Sequence, residues 1–417
     1  MNITVLPSQL KGRVEAPPSK SDVHRAIICA ALSKGICTIS PVALSNDIKA
    51  TIACAEALGA ETSLNNNVLT IDGSGVFSNK KASLDCFESG STLRFFVPIA
   101  AAGGVEADFT GHGSLVTRPI GLFSQLLPDA GVRCVTDGTL PLSVSGRLAP
   151  GDFRIPGNIS SQFVTGLLFA LPMLENDSRI ILTSPLQSEA YVDMTINTMS
   201  KFGVKVQKAD YGYFIEGNQS YRPVNYTTDG DWSQAAFFLA AGAVSGDVEV
   251  CGVSLSSTQG DKEIVSLLKK FGADVQIGES SVRVRKSALK AVEIDARQIP
   301  DIVPILSVIA SFADGTTRIY GAERLRIKES DRLKTTASML NSMGGSAEET
   351  PDGLIIKGKA LGGGQVNGSN DHRIVMSAAV AALGCADKVE ITDKESINKS
   401  YPNFFEEYER LGGKIYV

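Results

Sequence analysis

The sequence is poor in the residues and motifs on which several common functions depend. Three histidines, at positions 24, 112 and 372, have no metal-ligand spacing. Seven cysteines (29, 37, 54, 86, 134, 251 and 385) are odd in number and contain no CxxC pair. They therefore indicate reduced core residues of a cytoplasmic protein rather than a disulfide framework or a zinc site. No GxxxxGK[ST] loop, no GxGxxG after a strand and no GxSxG elbow is present, which disfavours the ATP, dinucleotide and serine-hydrolase classes.

Positive charge and long apolar runs are also scarce. The chain has 40 Lys and Arg against 45 Asp and Glu, a net charge of −5, so a general binder of nucleic acid or of anionic membranes is not expected. The longest apolar runs, such as "IVPILSVIASFA", fall short of the roughly 20 residues that span a bilayer. The N-terminus "MNITVLPSQLKGRVE" lacks the pattern of a signal peptide. Any anion site must therefore be built locally.

A repeat of about seventy residues runs through the chain. Six segments, apolar after a polar first turn, start near Ser21, Ser91, Ser161, Asp231, Asp301 and Asp371. Such segments are typical of helices buried all round. A second series of amphipathic helices ends at glycines 59, 131, 203, 272, 344 and 412, where glycine is the usual residue just past a helix. Five of these copies continue into a hairpin pattern. The repeats predict an α/β fold.

The chain ends predict the domain organisation. The sixth repeat stops at Val417 without its hairpin partner, whereas the chain begins with an orphan strand, "NITVLP". We expect this strand to complete the last repeat. The predicted domains are residues 13–226, and residues 1–12 plus 227–417, with three repeats each and crossings at 10–20 and 217–230.

The first turns of the six apolar helices carry the candidate ligand-binding groups. Equivalent helices place their N-termini at one end of a domain, and helix N-termini attract anions. The polar side chains at these turns are Lys20, Ser21, Arg25, Arg94, Ser160, Ser161, Gln162, Asp231, Asp301, Asp371, His372 and Arg373. A simpler explanation exists for each of them. Ser19 caps its helix and Asp22 completes a capping box, while a lone arginine is a solvated charge.

Two further charged clusters accompany these turns. "RLRIKESDRL" predicts an amphipathic helix with Lys328, Glu329 and Arg332 at its start, where Lys328 and Arg332 are spaced for one face. Arg118 in "TRPIG" and Lys399 in "NKSYPNFF" each precede another helix. Taken singly, each of these residues has an adequate structural explanation.

In this order the motifs resemble one family over essentially the whole chain. "PPSKSDVHRA", "SGSTLRF", "TRP", "ISSQF", "GDWSQAAFFL", "IPDIVP", "IKESDRL", "NDHRIVM" and "NKSYPNFF" are similar to the successive signatures of 5-enolpyruvylshikimate-3-phosphate synthases. The resemblance implies two similar domains of three βαβαββ units each, an inside-out α/β barrel, with the active site in the interdomain cleft. It also implies transfer of the enolpyruvyl group of phosphoenolpyruvate to the 5-hydroxyl of shikimate 3-phosphate, with release of phosphate.

The resemblance further implies an enzyme of aromatic amino acid biosynthesis and a target of glyphosate. It implies no metal or organic cofactor, and a cytoplasmic monomer whose partners are its small-molecule substrates, with no nucleic acid and no membrane.

The same resemblance assigns residues to the two substrates. The shikimate 3-phosphate set is Lys20, Ser21, Arg25, Ser160, Ser161, Gln162, Ser188, Tyr191, Asp301 and Lys328. The phosphoenolpyruvate set is Lys20, Gly90, Arg118, Gln162, Arg332, Arg373 and Lys399. The family usually has Asn at the position of Glu88 and often at that of Arg324, so neither residue is included. Gly90 resembles the glyphosate-sensitive form of the family.

The chemistry of the transfer fits these residue types. Lys, Arg and helix N-termini offset the repulsion between two phosphorylated anions. The methylene carbon of the enol gains a proton and the attacking hydroxyl loses one, which calls for an acid–base pair. Asp301 is the better candidate for the hydroxyl and Glu329 for the methylene carbon, and Lys20 is a further candidate for proton transfer.

Two alternatives stay open at this point. UDP-N-acetylglucosamine enolpyruvyl transferases share the fold and the donor. Their motif reads Lys-Asn where this chain has Lys20-Ser21, and they carry a loop cysteine that "GHGSLVTRP" lacks. A protein that processes RNA ends on a similar repeat scaffold is disfavoured by the acidic composition and by the lack of a basic groove with aromatic residues.

Overall fold

The computed structural model describes all 417 residues and divides into two compact units. The N-terminal unit is Pro18–Thr228, and the C-terminal unit is Met1–Pro17 with Asp229–Val417. The predicted boundaries, 12/13 and 226/227, each fall inside a strand. Strand Lys11–Glu15 pairs within the C-terminal unit and strand Asn225–Thr227 within the N-terminal unit, which moves both divisions a few residues along the chain. Each unit is described by itself.

Twenty-four short strands account for the sheets. In chain order they are β1 Ile3–Leu6, β2 Lys11–Glu15, β3 Ile36–Ser40, β4 Glu61–Asn65, β5 Val68–Asp72, β6 Lys81–Asp85, β7 Glu106–Thr110, β8 Val132–Val135, β9 Leu142–Gly146, β10 Asp152–Ile155, β11 Ser178–Leu182, β12 Gln207–Ala209, β13 Gly212–Ile215, β14 Asn225–Thr227, β15 Asp247–Cys251, β16 Asp274–Ile277, β17 Ser281–Arg285, β18 Glu293–Asp295, β19 Thr316–Tyr320, β20 Ala347–Thr350, β21 Gly353–Lys357, β22 Gly364–Val366, β23 Val389–Ile391 and β24 Lys414–Tyr416.

Twelve α-helices alternate with these strands. They are α1 Lys20–Ala31, α2 Asn46–Ala57, α3 Gly90–Ala102, α4 Gly121–Leu126, α5 Ser161–Ala170, α6 Glu189–Lys201, α7 Trp232–Ser245, α8 Ile264–Lys270, α9 Val303–Ser311, α10 Arg332–Ser342, α11 His372–Ala382 and α12 Phe404–Arg410. Short 3₁₀ helices add Gly113–Thr117, Pro128–Ala130, Leu171–Met173, Gly260–Glu263, Pro300–Ile302, Glu323–Ile327 and Lys394–Lys399. No helix is both long enough and apolar enough to cross a membrane.

All six sheets have four strands and one topology. Their orders are β14-β3-β5-β4, β6-β7-β9-β8 and β10-β11-β13-β12 in the N-terminal unit, and β2-β15-β17-β16, β18-β19-β21-β20 and β22-β23-β1-β24 in the C-terminal unit. In each sheet the first two strands are parallel and the remaining pairs are antiparallel, as in β6 with β7, β7 with β9 and β8 with β9. The six predicted βαβαββ repeats are therefore confirmed.

The last sheet takes one strand from the start of the chain. Strand β1 pairs antiparallel with both β23 and β24, with Val5 opposite Val389 on one side and Ile415 on the other. It holds the position that β5, β9 or β13 holds in the sheets of the N-terminal unit. The two ends of the chain therefore lie in one sheet.

The core of each unit is formed by its apolar helices, covered by the sheets. We call α1, α3, α5, α7, α9 and α11 the core helices. Every residue of α7 and of α11 is buried, as predicted for helices buried all round. The covering strands alternate, as in β7, where Ala107 and Phe109 are buried and their neighbours are exposed, so one face of each sheet meets the core and the other meets solvent. This is the inside-out α/β arrangement.

The helices α2, α4, α6, α8, α10 and α12, which we call the second helices, are each followed by a glycine. Glycines 59, 131, 203, 272, 344 and 412 have φ between +80° and +107°, the left-handed region that other residues adopt at a cost. The pattern of helix followed by glycine and then a strand was predicted from sequence and is confirmed.

Candidate functional site

Serine caps open the three core helices of the N-terminal unit. The side chains of Ser19, Ser89 and Ser160 accept hydrogen bonds from the backbone N–H groups of the residues two or three positions on. These serines satisfy backbone donors that no helical carbonyl reaches. Capping therefore accounts for them, but not for the cationic side chains on the same turns.

Arg25 is held rigidly inside the first turns of α1. Its Nη1 donates to the Ser21 carbonyl at 2.6 Å, its Nε to Thr195 Oγ1 at 2.8 Å and its Nη2 to the Tyr191 carbonyl at 2.9 Å. The guanidinium also lies 5.5 Å from the centre of the Phe95 ring. Burial lowers the pKa of Arg25 to about 10, which leaves it charged at neutral pH. It is a fixed buried cation, not a solvated one.

Two acids hold the remaining polar groups of α1. Lys20 Nζ lies 2.7 Å from Asp47 Oδ2, on the first turn of α2. Asp22 accepts a hydrogen bond of 2.6 Å from the Tyr226 hydroxyl. Since Tyr226 lies on β14, this hydrogen bond joins the first turn of α1 to that strand.

Gly90 and two arginines crowd the first turn of α3. A Cβ atom at Gly90 would lie 2.7 Å from Arg118 Nη1 and 2.8 Å from Arg94 Nη1, so a larger residue here would require both guanidinium groups to move. Arg94 Nη1 also donates to Gln162 Oε1 at 3.3 Å, and Gln162 Nε2 donates to Ser91 Oγ at 2.9 Å. The predicted residues Gly90, Arg118 and Gln162 thus meet at the N-termini of α3 and α5.

The other predicted residues of this unit lie on α5 and α6. Ser161 begins α5 and is buried. Ser188 precedes α6 in the left-handed conformation, with φ of 55°, and Tyr191 is on the first turn of that helix. The backbone carbonyl of Tyr191 binds Arg25, so α1 and α6 are joined at this end of the unit.

Arg332 is the centre of the charged cluster in the C-terminal unit. Its Nε donates to Asp371 Oδ2 at 2.8 Å and its Nη1 to Asp301 Oδ1 at 3.0 Å, while Nη2 lies 2.7 Å from Glu329 Oε2. The Arg332 side chain is 1% exposed. Burial alone would lower the pKa of Arg332, but Asp371, Glu329 and Asp301 raise it. A guanidinium enclosed by three carboxylates fixes the positions of Asp371, Asp301 and Glu329, and these carboxylates also offset its positive charge.

Asp301 is surrounded by cations. Lys328 Nζ lies 3.6 Å from Oδ1 and Arg373 Nη2 lies 3.5 Å from Oδ2. Burial would raise the pKa of Asp301, but Lys328, Arg373 and Arg332 hold it well below its usual range. Burial lowers the pKa of Lys328, and Asp301 opposes that effect. Asp301 is therefore an ionised carboxylate at neutral pH.

The segment around Lys328 and Glu329 departs from the sequence-based prediction. The amphipathic helix was predicted to begin at Lys328, but α10 begins at Arg332, and a 3₁₀ helix, Glu323–Ile327, comes before. Asp331 is the reason, because its side chain accepts from the Lys334 N–H and caps the helix there. Lys328 and Arg332 are therefore not neighbours on one helical face, and Glu329 lies in the connecting loop.

Lys399 and Arg373 complete the predicted set. Lys399 ends the 3₁₀ helix Lys394–Lys399 and donates to the Asn370 carbonyl at 2.6 Å, beside the start of α11. Arg373 is on the first turn of α11, is buried, and faces Asp301. Both cations thus lie at the N-terminus of one core helix.

A regular spacing that the sequence interpretation missed connects most of these residues. In each repeat a residue 27 or 28 positions after a residue on or next to the first turn of the core helix lies just before the second helix or on its first turn. The pairs are Lys20 with Asp47, Gly90 with Arg118, Ser160 with Ser188, Ser233 with Asp261, Asp301 with Lys328 and Glu329, and Asp371 with Lys399. We call the later members the downstream positions. Aligning the six repeats at a fixed offset would have found Asp47 and Asp261, which were not predicted.

Contacts explain this spacing. The second strand of each repeat returns the chain to the N-terminal end of the core helix, so a downstream position lies against the first turn. The Asp47 carboxylate binds Lys20, Arg118 adjoins Gly90, Asp261 binds the Ser233 hydroxyl, and Lys328 adjoins Asp301. In five of the six repeats such a contact is present, the fifth being that of Lys399 with the Asn370 carbonyl.

The arrangement is suited to binding anions and to moving protons. Buried guanidinium and ammonium groups in each unit lie beside helix N-termini, where a phosphate or carboxylate is stabilised. Asp301, which is ionised, can accept a proton. Glu329 is a second carboxyl group nearby, because both side chains contact Arg332. No group of three or more His, Cys, Asp or Glu side chains is arranged to hold a metal ion.

Comparison with known proteins gives one consistent result. Residues 5–408 match the family model described as EPSP synthase (3-phosphoshikimate 1-carboxyvinyltransferase). The chain is 44% identical over 426 residues to the 3-phosphoshikimate 1-carboxyvinyltransferase of Clostridium novyi, and 45% identical over 416 residues to that of Clostridium kluyveri. In each case 99% of this chain and 98% of the relative are covered.

Solved structures agree with the sequence comparison. The EPSP synthase of Acinetobacter baumannii superposes with a TM-score of 0.84 at 26% identity, over 100% of both chains. The enolpyruvyl transferase NikO of Streptomyces tendae superposes with a TM-score of 0.79 at 16% identity, over 100% of this chain and 98% of the other. The second likeness concerns the fold alone.

Proposed function

Because this chain belongs to the EPSP synthase family, we propose that it transfers the enolpyruvyl group of phosphoenolpyruvate to the 5-hydroxyl of shikimate 3-phosphate and releases phosphate. The observation that carries this proposal is the Asp301 carboxylate with Lys328, Arg332 and Arg373 within 3.0–3.6 Å of its oxygens. The carboxylate can accept the hydroxyl proton as the new carbon–oxygen bond forms, and the cations around it stabilise anionic reactants. The step belongs to aromatic amino acid biosynthesis.

We assign shikimate 3-phosphate to side chains of both units. In the N-terminal unit they are Lys20, Ser21, Arg25, Ser160, Ser161, Gln162, Ser188 and Tyr191, and in the C-terminal unit Asp301 and Lys328. The rigid Arg25 supports this assignment, because a cation fixed by three hydrogen bonds needs no reordering when an anion binds.

We assign phosphoenolpyruvate to a second set dominated by cations. Its members are Lys20, Gly90, Arg118, Gln162, Arg332, Arg373 and Lys399. The close approach of Arg118 to Gly90 supports a compact anion pocket at the start of α3. Arg332 has carboxylates on its Nε and on both Nη atoms, so direct contact with an anion requires Asp301 or Glu329 to shift or to take up a proton.

The proposed reaction is an addition followed by an elimination. In the addition, the 5-oxygen forms a bond to C2 of phosphoenolpyruvate, its proton passes to Asp301, and the methylene carbon takes a proton from Glu329. In the elimination, the new methyl group returns a proton to Glu329, the bond from C2 to the phosphate oxygen breaks, and phosphate leaves with the proton from Asp301. Lys20 is a further candidate for these proton transfers.

The substrates are small molecules, and we propose that the enzyme acts as a cytoplasmic monomer. All seven cysteines are free thiols, which fits a reducing compartment. Sedimentation analysis with and without both substrates tests the monomer, and a dimer in either condition contradicts it.

Phosphate release with two different acceptors tests the function. The purified chain is mixed with phosphoenolpyruvate and either shikimate 3-phosphate or UDP-N-acetylglucosamine, and phosphate and the enolpyruvyl product are measured. Release with shikimate 3-phosphate alone is expected. Release only with the nucleotide sugar would identify the cell-wall enolpyruvyl transferase instead, and no release with either acceptor would contradict enolpyruvyl transfer.

A further inference from the structure

The downstream positions divide into those with a proposed ligand or proton-transfer role and two acids without one. Arg118, Ser188, Lys328 and Lys399 are assigned above to substrates, and Glu329 to proton transfer. Asp47 and Asp261 hold the same place in their repeats. Asp47 is satisfied by Lys20, whereas the structure gives Asp261 no cation within ion-pair distance. Asp261 is therefore the member whose purpose is unexplained.

Asp261 is buried with only one of its carboxyl oxygens satisfied. The residue is 2% exposed and lies on the 3₁₀ helix Gly260–Glu263. Oδ2 accepts a hydrogen bond from the Ser233 hydroxyl on the first turn of α7, while Oδ1 has no hydrogen-bond partner. A buried carboxylate oxygen without a donor is costly. A proton on the carboxyl group removes most of that cost.

The position of Asp261 is fixed by its neighbours in the sequence. Gln259 Oε1 accepts from the Trp232 N–H at 2.9 Å, and Gln259 Nε2 donates to the Gly230 carbonyl at 2.7 Å. Lys262 Nζ donates to the Leu255 and Ser257 carbonyls. These bonds clamp the segment onto the start of α7, so Asp261 cannot turn outward to solvent.

The charges that act on Asp261 include one residue proposed to bind each substrate, Asp301 for shikimate 3-phosphate and Arg373 for phosphoenolpyruvate. Burial raises the pKa of Asp261 to about 7, and the Asp301 carboxylate acts in the same direction. Arg373 and the Ser233 hydroxyl oppose that rise, and Asp231 adds to it. Arg373 in turn lies 3.5 Å from Asp301. Asp261, Asp301 and Arg373 therefore form one electrostatic group.

We propose that Asp261 is a positioning residue that acts through Arg373, and that the proton it holds determines how strongly the electrostatic potential around Arg373 attracts phosphoenolpyruvate. The proposal rests on the proposed function, which assigns Arg373 to that substrate. With its proton, Asp261 is neutral and adds no negative charge to the surroundings of Arg373. Without it, a second buried negative charge acts on Arg373 beside that of Asp301 and weakens the attraction of this region for an anionic substrate.

This role predicts a specific pH dependence. As pH rises through about 7, Asp261 loses its proton and phosphoenolpyruvate binds more weakly. Asp261→Asn is neutral at every pH and removes this component. Because the ionisation of the substrate is common to both proteins, the ratio of their KM values isolates the contribution of Asp261.

The test compares KM for phosphoenolpyruvate and kcat between pH 6 and pH 9 in the wild type, Asp261→Asn and Asp314→Asn, an exposed aspartate of the same unit. We expect KM to rise several-fold more in the wild type than in Asp261→Asn, with kcat less affected, and Asp314→Asn to follow the wild type. Ser233→Ala removes a bond that opposes protonation, so its rise in KM should begin at higher pH.

Parallel KM profiles for the wild type and Asp261→Asn, or a loss of kcat alone, would overturn the proposal. Calorimetric binding of phosphoenolpyruvate in the presence of shikimate 3-phosphate is measured over the same pH range. It separates the two hypotheses, because a wild type that binds both ligands without releasing phosphate contradicts the proposed function only. Absence of binding at every pH contradicts both.

Discussion

Single residues of the candidate site are held by buried partners of opposite charge. Arg332 is the extreme case, with Asp371, Asp301 and Glu329 around one guanidinium. Removing one member of a buried pair leaves an uncompensated charge and costs roughly 3–5 kcal/mol. A substitution that tests the function of one residue must therefore keep the size and shape of its side chain and change only its charge or its ability to exchange a proton.

Glu329→Gln is such a change. The amide keeps the size of the side chain and can still accept a hydrogen bond from Arg332, but it cannot donate the proton needed by the methylene carbon. We expect kcat to fall by roughly 10²–10⁴-fold, while the dissociation constants of both substrates change little. Steady-state kinetics and calorimetry check this. Glu348→Gln on exposed β20 is the control, and full turnover in Glu329→Gln would remove this residue from the chemistry.

Gly90→Ala tests the crowding at the start of α3. The added methyl would lie 2.7 Å from Arg118 Nη1 and 2.8 Å from Arg94 Nη1, so both guanidinium groups must shift. We expect KM for phosphoenolpyruvate to rise about tenfold, equivalent to about 1.4 kcal/mol. Gly121→Ala is the matched control, because its nearest atom is 4.0 Å away. Equal KM values for the two variants would show that the arginines do not define this pocket.

The sequence revealed these residues unequally, for physical reasons. Lys20, Arg25 and Arg373 could be found because a charge on the first turn of an apolar helix is conspicuous. Asp261 could not, because in the sequence it looks like one of several acids in a polar loop, and its importance comes from burial against α7. The same holds for Asp371, whose capping role was visible but whose bond to Arg332 depends on the packing of α10.

At the scale of elements, one strand–helix arrangement is repeated six times. Each second helix is followed by a glycine in left-handed conformation, in the second repeat after an intervening 3₁₀ helix, and the chain then enters a strand. Hydrophobic spacing and glycine were enough to predict this pattern. They could not place the start of α10, because the Asp331 cap and the preceding 3₁₀ turn are set by local side-chain bonds.

Gly272→Ala tests the left-handed glycine that ends α8. Its φ is +88°, and a Cβ atom added there would lie 3.5 Å from its nearest neighbour, so the cost is conformational and not steric. We expect the free energy of unfolding to fall by about 1–2 kcal/mol. Gly362→Ala, whose nearest atom is 3.7 Å away and whose φ is outside that region, should leave the free energy of unfolding unchanged or raise it by about 0.4–1 kcal/mol. Urea unfolding followed by fluorescence of the buried Trp232 in the same unit measures both, and equal losses would contradict the assignment.

At the scale of the whole molecule, two units are built from the same repeat and differ in the charges on their core helices. Serine caps and Arg25 lie in one unit, whereas Asp301, Asp371 and Arg373 lie in the other. The pairing of β1 in the last sheet could be predicted, because the sixth repeat lacks one strand in the sequence and the chain begins with an unassigned one. The balance of buried charges does not follow from the sequence, since it depends on distances between repeats.

That balance makes the stability of the C-terminal unit depend on pH. The pKa of Asp261 rises from 3.8 to about 7 on folding, so the folded state binds more protons than the unfolded state in this range. Asp261 therefore lowers stability as pH rises from about 4 to about 7. We expect the stability of the wild type relative to Asp261→Asn to fall over that interval and to be constant above it. Urea unfolding by Trp232 fluorescence at several pH values checks this, and a constant difference would contradict it.

The anionic substrates are proposed to bind at the N-terminal turns of the core helices. A crystal structure of Glu329→Gln with shikimate 3-phosphate and phosphoenolpyruvate tests this binding mode. We expect shikimate 3-phosphate in contact with Ser21, Arg25 and Ser161, and phosphoenolpyruvate in contact with Arg118 and Arg373. Substrates bound away from these turns, with Arg25 and Arg373 untouched, would contradict it.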